Sequence, residues 1–222
     1  MHGRFITFEG GEGSGKSTQA KLLASRLRSL AVPVLLTREP GGSPGAEAIR
    51  HVLLAGAAKP LGAHAEAILF AAARDDHVRQ TIRPALAAGT WVISDRFADS
   101  TRIYQGTLSN VDPRLIRRLE RITVGDTKPD LTLVLDAPTD LGLARAASRR
   151  GNVPADRFET ERLEFYKKLQ EGYRDLVQRE PERCELIDAC ADTSTVAAAI
   201  WAVVNARLDP AEAAVIIEDA VP

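Results

Sequence analysis

Gly10-Gly11-Glu12-Gly13-Ser14-Gly15-Lys16-Ser17-Thr18 fits the pattern G-x-x-x-x-G-K-[ST], and its flanks give that pattern meaning. Before it, Phe5-Ile6-Thr7-Phe8 reads as a short buried strand. After it, Gln19-Ala20-Lys21-Leu22-Leu23-Ala24-Ser25-Arg26-Leu27 has helical spacing. A strand, a glycine-rich turn and a helix in direct succession are what a phosphate-cradling loop requires. Glycine lets the backbone curl so that several N–H groups point inward, and the helix N-terminus adds positive partial charge. Gly10, Gly11, Glu12, Gly13, Ser14, Gly15, Lys16, Ser17 and Thr18 are therefore candidate nucleotide-binding residues. Lys16 is placed to reach the terminal phosphates and the Ser17 hydroxyl to hold Mg²⁺. A plain glycine-rich turn is the competing reading, and the flanking strand and helix argue against it.

Outward from this loop, short apolar runs alternate with longer helical patterns. Strands are expected at Arg4–Glu9, Val32–Thr37, Trp91–Ser94, Leu131–Asp136 and Cys184–Ile187. Helices are expected at about 15–29, 44–54, 64–88, 112–123, 139–149, 160–179 and 194–207. Strands separated by helices need crossover connections, which predicts an α/β fold with a parallel sheet flanked by helices on both faces. Ligands in such sheets bind beyond the carboxyl ends of the strands. Those ends carry Glu9 with the loop, Arg38-Glu39, Asp95-Arg96 and Asp136.

A chain of 222 residues suits one domain and can bury a sizeable core. A net charge of −1 offers no basic excess for general nucleic-acid binding. Cys184 and Cys190 form neither a disulfide framework nor a convincing metal pair, so free thiols are expected. No signal-like or membrane-spanning run is evident, which leads to the expectation of a cytoplasmic protein without membrane attachment. The expected organisation is a single domain over 1–208, with a short lid at about 146–158 and a tail over 209–222. That tail has four acidic residues and no basic one, and no chemistry is assigned to it.

Three reaction classes compete for the loop. A GTPase needs D-x-x-G, yet no glycine here has Asp three residues before it. Thr127-Lys128-Pro129-Asp130 mimics a guanine-reading motif but precedes a strand, and reads as a helix-to-strand connector. An ATPase motor would show an apolar strand ending in adjacent acids, and none is evident. A small-molecule kinase remains, and the arginines favour it. Arg38, Arg74, Arg96 and Arg102 fall near strand ends or on a helix lining the cleft, while Arg149 and Arg150 lie in the lid segment. Taken singly, each reads more readily as a solvated surface arginine. A kinase whose acceptor is itself a phosphate must bring two polyanions together, and bidentate guanidiniums neutralise and align both. Such an acceptor is already ionised and needs no general base. Phe70 and Arg74 share a helix face and suit a nucleobase pocket, although spacing alone favours a core Phe beside a surface Arg. Tyr104 and Gln105 allow the same two readings.

Arg38-Glu39-Pro40-Gly41-Gly42, Leu69-Phe70-Ala71-Ala72-Ala73-Arg74, Asp95-Arg96-Phe97-Ala98-Asp99-Ser100-Thr101 and Tyr104-Gln105-Gly106 stand in order behind the loop. Together they resemble the thymidylate kinases, over most of the chain. The resemblance implies a five-stranded nucleoside-monophosphate-kinase core and transfer of the ATP γ-phosphate to dTMP, giving dTDP and ADP. It also implies Mg²⁺ and usually a homodimer. Another nucleoside-monophosphate or deoxynucleoside kinase is the alternative. Carried over residue by residue, Phe70 would stack on thymine and Arg74 would bond its carbonyl edge. Arg96 would grip the dTMP phosphate, with Arg38 nearby. Thr101, Tyr104 and Gln105 would complete the pocket, and Tyr104 would exclude a ribose 2′-hydroxyl. Glu9 would face the acceptor sugar or the metal's water shell, and Asp95 would meet Mg²⁺ through water. Glu12 and Ser14 occupy the variable loop positions where many relatives carry an arginine. The chain thus resembles the bacterial branch, in which lid arginines supply that charge; Arg149 and Arg150 are the candidates, with Arg145 stacking on adenine. Arg102-Ile103 departs from the smaller, less charged residues expected before the tyrosine.

Overall fold

The computed structural model of the chain describes residues 3–150 and 163–210, with Arg149 and Arg150 described by their backbone alone. At its centre lies β1 (Phe5–Gly10), buried along its whole length. A continuous apolar run suits a strand covered on both faces. Ile6 and Phe8 point to one side, into a core with Leu23, Leu27, Leu133 and Val204. Phe5 points to the other, among Val78, Ile82, Val92 and Phe97. The buried hydroxyls of Thr7 and Thr132 satisfy each other at 2.8 Å.

Around β1 the chain builds one parallel five-stranded sheet in the order β2-β3-β1-β4-β5. The other strands are β2 (Val34–Arg38), β3 (Trp91–Asp95), β4 (Leu131–Asp136) and β5 (Cys184–Asp188). Helices α1 (Lys16–Ser29) and α9 (Thr193–Leu208) cover one face. The opposite side carries α2 (Pro44–Leu54), α3 (Gly62–His77), α4 (Arg83–Ala87), α5 (Ala98–Thr101) and α6 (Pro113–Thr123). Helix α8 (Leu163–Arg179) packs Tyr166, Leu169 and Tyr173 against Val134 and Cys184, while α7 (Thr139–Arg150) runs beside the loop. The α/β architecture and all five expected strands are present.

Three local expectations change. The single helix expected over 64–88 is α3, a π-helical segment at Val78–Ile82 and α4. Buried Val78 and Ile82 preserve the apolar spacing through the wider turn, so periodicity alone does not register the break. Residues 98–108, assigned to no element, form α5 and a π-helical turn over Arg102–Leu108. Strand β2 starts at Val34 rather than Val32, because Pro33 lacks the N–H for a ladder bond. Thr127 to Asp130 connects α6 to β4 as expected, and Asp130 accepts the Phe5 N–H at 2.7 Å. Both cysteines are free, Cys184 buried and Cys190 exposed. Among the described residues no single helix is long and apolar enough to cross a membrane. Most of the expected lid, and all but the start of the tail, lie outside the described residues.

Candidate active site

The loop leaves β1 through Gly10, Gly13 and Gly15 at φ 133°, 68° and 98°, values closed to most L side chains. A Cβ on Gly13 would run into the backbone carbonyl of Gly142, so α7 can rest directly on the loop. Lys16, at the first turn of α1, folds its ammonium back over the loop. Its Nζ donates to the Gly10 carbonyl at 3.1 Å, to the Gly11 carbonyl at 2.6 Å and to the Ser14 hydroxyl at 3.4 Å. Burial, with Arg96 nearby, lowers its pKa to about 8.

Ser17 donates its hydroxyl to the Asp95 carboxylate at the end of β3. A helix-start hydroxyl and a strand-end carboxylate make a hard, all-oxygen pair. Among the described residues no cluster of three or more His, Cys, Asp or Glu could hold a metal by itself. Such a sparse donor set fits Mg²⁺, which keeps several waters and shares substrate phosphates.

Glu12, Lys16, Arg38, Phe70, Arg74, Asp95, Arg96, Thr101, Tyr104 and Gln105 line one cavity of about 290 Å³. Arg96 stands between its two ends, with a backbone φ of 71°. For a non-glycine residue this is an uncommon, strained conformation. It is held by the Arg96 N–H on the Phe8 carbonyl at 2.9 Å and by Ser94 Oγ on the Arg96 carbonyl at 2.7 Å. Its guanidinium reaches the Gly10 carbonyl and Ser100 Oγ, each at 3.3 Å, and Glu12 at 3.3 Å. It also covers the Tyr104 ring at 5.4 Å. Burial disfavours the Arg96 charge, but Tyr104, Tyr173, Glu12 and Asp95 more than offset this and hold it well above its ordinary pKa.

Glu9 is buried under this arginine. Its carboxylate accepts from the Phe97 N–H at 2.8 Å, Ser100 Oγ at 2.6 Å and the Tyr173 hydroxyl at 2.9 Å. Burial first, then the charge of Asp99, raises its pKa to about 7. At the base end, Arg74 is anchored by Glu39, the Phe97 carbonyl and Thr101. Arg38 is turned outward onto Glu47 at 2.9 Å, with its side chain 54% exposed.

Four other arginines remain. Arg145 donates to the Ala189 and Cys190 carbonyls at 2.8 and 3.2 Å, in the turn after β5. The side chains of Arg149 and Arg150 lie outside the described residues. Arg102 neither lines the cavity nor stands free: it binds Glu120 at 2.6 Å, Glu180 at 2.7 Å and Asp99 at 3.3 Å, tying α5 to α6 and α8. Ile103 beside it packs where Gly172 leaves room on α8.

Sequence reading gives Glu39 and Ser100 a place in the motifs but no role, and does not single out Arg50 or Tyr173. Arg50 lines the cavity and donates to the Pro40 carbonyl at 2.6 Å. Tyr173 reaches Glu9 from 164 residues away, a pairing no local pattern can show.

The thymidylate kinase family model matches residues 8–200. A thymidylate kinase of Rhodopseudomonas palustris (strain TIE-1) is 60% identical over 215 residues, covering 96% of this chain and 94% of the relative. One from Nitrobacter winogradskyi is 58% identical over 214 residues, covering 96% and 93%. The solved structure of thymidylate kinase from Ehrlichia chaffeensis superposes with a TM-score of 0.75 at 33% identity, covering 92% of this chain and all of that one.

Proposed function

Because this chain belongs to the thymidylate kinase family, and so transfers the γ-phosphate of ATP to dTMP, we propose the following division of labour around its cleft. The carrying observation is that one cavity joins Lys16 and Ser17 to Phe70, Arg74 and Tyr104, with Arg96 between them. ATP phosphates take the loop amides, and the Lys16 ammonium leaves the Gly10 and Gly11 carbonyls for the phosphate oxygens. Mg²⁺ on Ser17 and Asp95 would neutralise charge on the transferring phosphates. At the other end Phe70 stacks on thymine, Arg74 donates to its carbonyl edge, and Thr101 and Gln105 close the pocket. Tyr104, pinned under Arg96, leaves no space beside the sugar for a 2′-hydroxyl. Arg96 grips the acceptor phosphate and neutralises it as it meets the donor.

Glu9 does not act as a base in this reading, since the acceptor phosphate needs none. Its carboxylate fixes the N-terminus of α5 and faces the acceptor sugar. In-line transfer then depends on positioning and charge neutralisation rather than covalent chemistry. Closure of a lid over 146–158 excludes water and brings Arg149 and Arg150 to the transferring group, with Arg145 beside adenine. Arg38 reaches the acceptor phosphate after leaving Glu47. A single kinase domain over 1–208 with a 209–222 tail, a cytoplasmic location and a homodimer complete the reading. Exposed Val52, Ile68 and Ile122 on α2, α3 and α6 support the dimer.

The test is ADP formation from ATP and Mg²⁺ with dTMP, dUMP, CMP, AMP and thymidine offered separately. Strong turnover with dTMP, weaker with dUMP and little with thymidine is expected. Preference for another acceptor would break the assignment of Phe70, Arg74 and Tyr104. Arg149→Ala with Arg150→Ala should lower kcat more than dTMP affinity, and a double variant with full kcat would remove the lid arginines from the mechanism.

A further inference from the structure

From the wall of the cleft at the end proposed for the base runs a chain of polar side chains, buried except for half-buried Thr37, that phosphate transfer does not use. Thr37 Oγ1 lies 2.8 Å from His77 Nε2, and His77 Nδ1 lies 3.1 Å from Glu39 Oε1. The other carboxylate oxygen of Glu39 accepts from Arg74 Nε at 2.8 Å. Arg74 Nη2 then donates to Thr101 Oγ1 at 2.9 Å and to the Phe97 carbonyl at 3.3 Å. His77, Arg74 and Glu39 are 0%, 3% and 6% exposed.

Burying a carboxylate and a guanidinium is no efficient route to stability, since apolar residues of the same volume often serve as well. The arrangement does fix geometry. Among the described residues, Nε and Nη2 of Arg74 are committed to protein acceptors, which leaves Nη1 for a ligand in the cavity that Arg74 lines. Glu39, at the cavity wall beside Arg74, grips the guanidinium through Nε and is itself held by His77. A carboxylate between a guanidinium and an imidazole accepts from both, so His77 carries its proton on Nδ1 toward Glu39 and meets the Thr37 hydroxyl with Nε2. The loop after β2 closes over this ring: Gly42 sits at φ 86°, and a Cβ there would strike both His77 and Thr37.

We propose that His77 and Glu39 are positioning residues that aim the Arg74 fork at the acceptor base and thereby set base specificity. This rests on the reading that Arg74 bonds the carbonyl edge of thymine. A guanidinium edge only donates, so a fixed fork accepts a carbonyl and rejects an amino group in the same place. A fork free to swing discriminates less.

The experiment is steady-state kinetics with dTMP and dCMP on full-length Arg74→Lys, Glu39→Gln, His77→Asn and His77→Gln. Asn places its amide nitrogen near the position of Nδ1, whereas Gln fills the position of Nε2. Glu39→Gln and His77→Gln should raise KM for dTMP about tenfold and narrow the preference over dCMP, with kcat and KM for ATP within about twofold. His77→Asn should stay near the parent enzyme. A ring that only fills space gives the reverse order, Gln tolerated and Asn damaging, and that result overturns the proposal. So does a fall in kcat and ATP affinity that parallels dTMP affinity. Arg74→Lys separates the two readings. If it leaves dTMP KM and base preference unchanged, the pocket assignment itself fails. If it changes both while Glu39→Gln and His77→Gln do not, only the positioning role fails. Should a His77 variant not fold, Thr37→Val, at the far end of the chain, should give the same pattern at about twofold, and no change would count against the proposal.

Discussion

The end of the cleft proposed for the donor is backbone from one unbroken stretch, curled by Gly10, Gly13 and Gly15 and capped by a single lysine. The other end, proposed for the acceptor, is assembled from side chains of five separate elements or loops. Phe70 and Arg74 come from α3, Thr101 from α5 and Tyr104 from the turn after it, while Glu39 from the loop after β2 holds Arg74 and Tyr173 from α8 holds Glu9. Phosphates are alike in every nucleotide, so a repeating main-chain surface suffices for them. Bases differ by single carbonyl or amino groups, and telling them apart takes individually placed donors. The acceptor end therefore relies on the buried Arg74–Glu39–His77 network.

The largest way to break this contrast is at its simplest part. Lys16→Ala should lower kcat by about 10²–10³-fold or more while the protein melts as before. Near-normal turnover would mean that the loop is not the donor site. Next is Glu9. Its pKa of about 7 lies above the ordinary 4.5, so between those values the folded protein holds a proton that the unfolded chain has released. The contribution of Glu9 to stability is therefore full below pH 4.5 and is lost as pH rises through 7. Glu9→Gln, which cannot titrate, should gain roughly 2–3 kcal/mol relative to the parent protein between pH 4.5 and 8. Denaturant unfolding across that range measures it, and a gap independent of pH would undo the burial argument. Phe70→Ala should raise KM for dTMP about tenfold through lost base stacking, leaving KM for ATP alone. Equal changes in both would erase the separation between the two ends. Smallest of all, Arg79→Ala breaks an exposed pair with Asp75, and should move stability by under about 0.5 kcal/mol with no kinetic effect.

The same contrast explains what could be read in advance. Strand, loop and α1 follow from contiguous residues, and the alternation of strands and helices yields the parallel sheet. Lys16, Ser17 and Asp95 emerge from local pattern and strand ends. Arg74 and Tyr104 do not, because spacing alone favours packing for them, and only the ordered resemblance singles them out. Residues 98–108 carry Asp, Ser, Thr and Gly with little apolar periodicity, so their helical turns stay hidden. Arg102 departs from the residue expected before the tyrosine, and its role is set by Glu120 and Glu180, distant residues that no window contains.

The folded-back lysine makes the loop its own rival for the nucleotide. Two carbonyls and a hydroxyl already hold the ammonium, so an incoming anion must outbid them before it gains that contact. A polyphosphate, with several charged oxygens, can replace all three of these contacts at once. The exchange also moves a proton. Burial lowers the Lys16 pKa to about 8, so in the proposed reading an arriving polyphosphate, which favours the charged amine, would draw a proton from solvent at pH 8 and above.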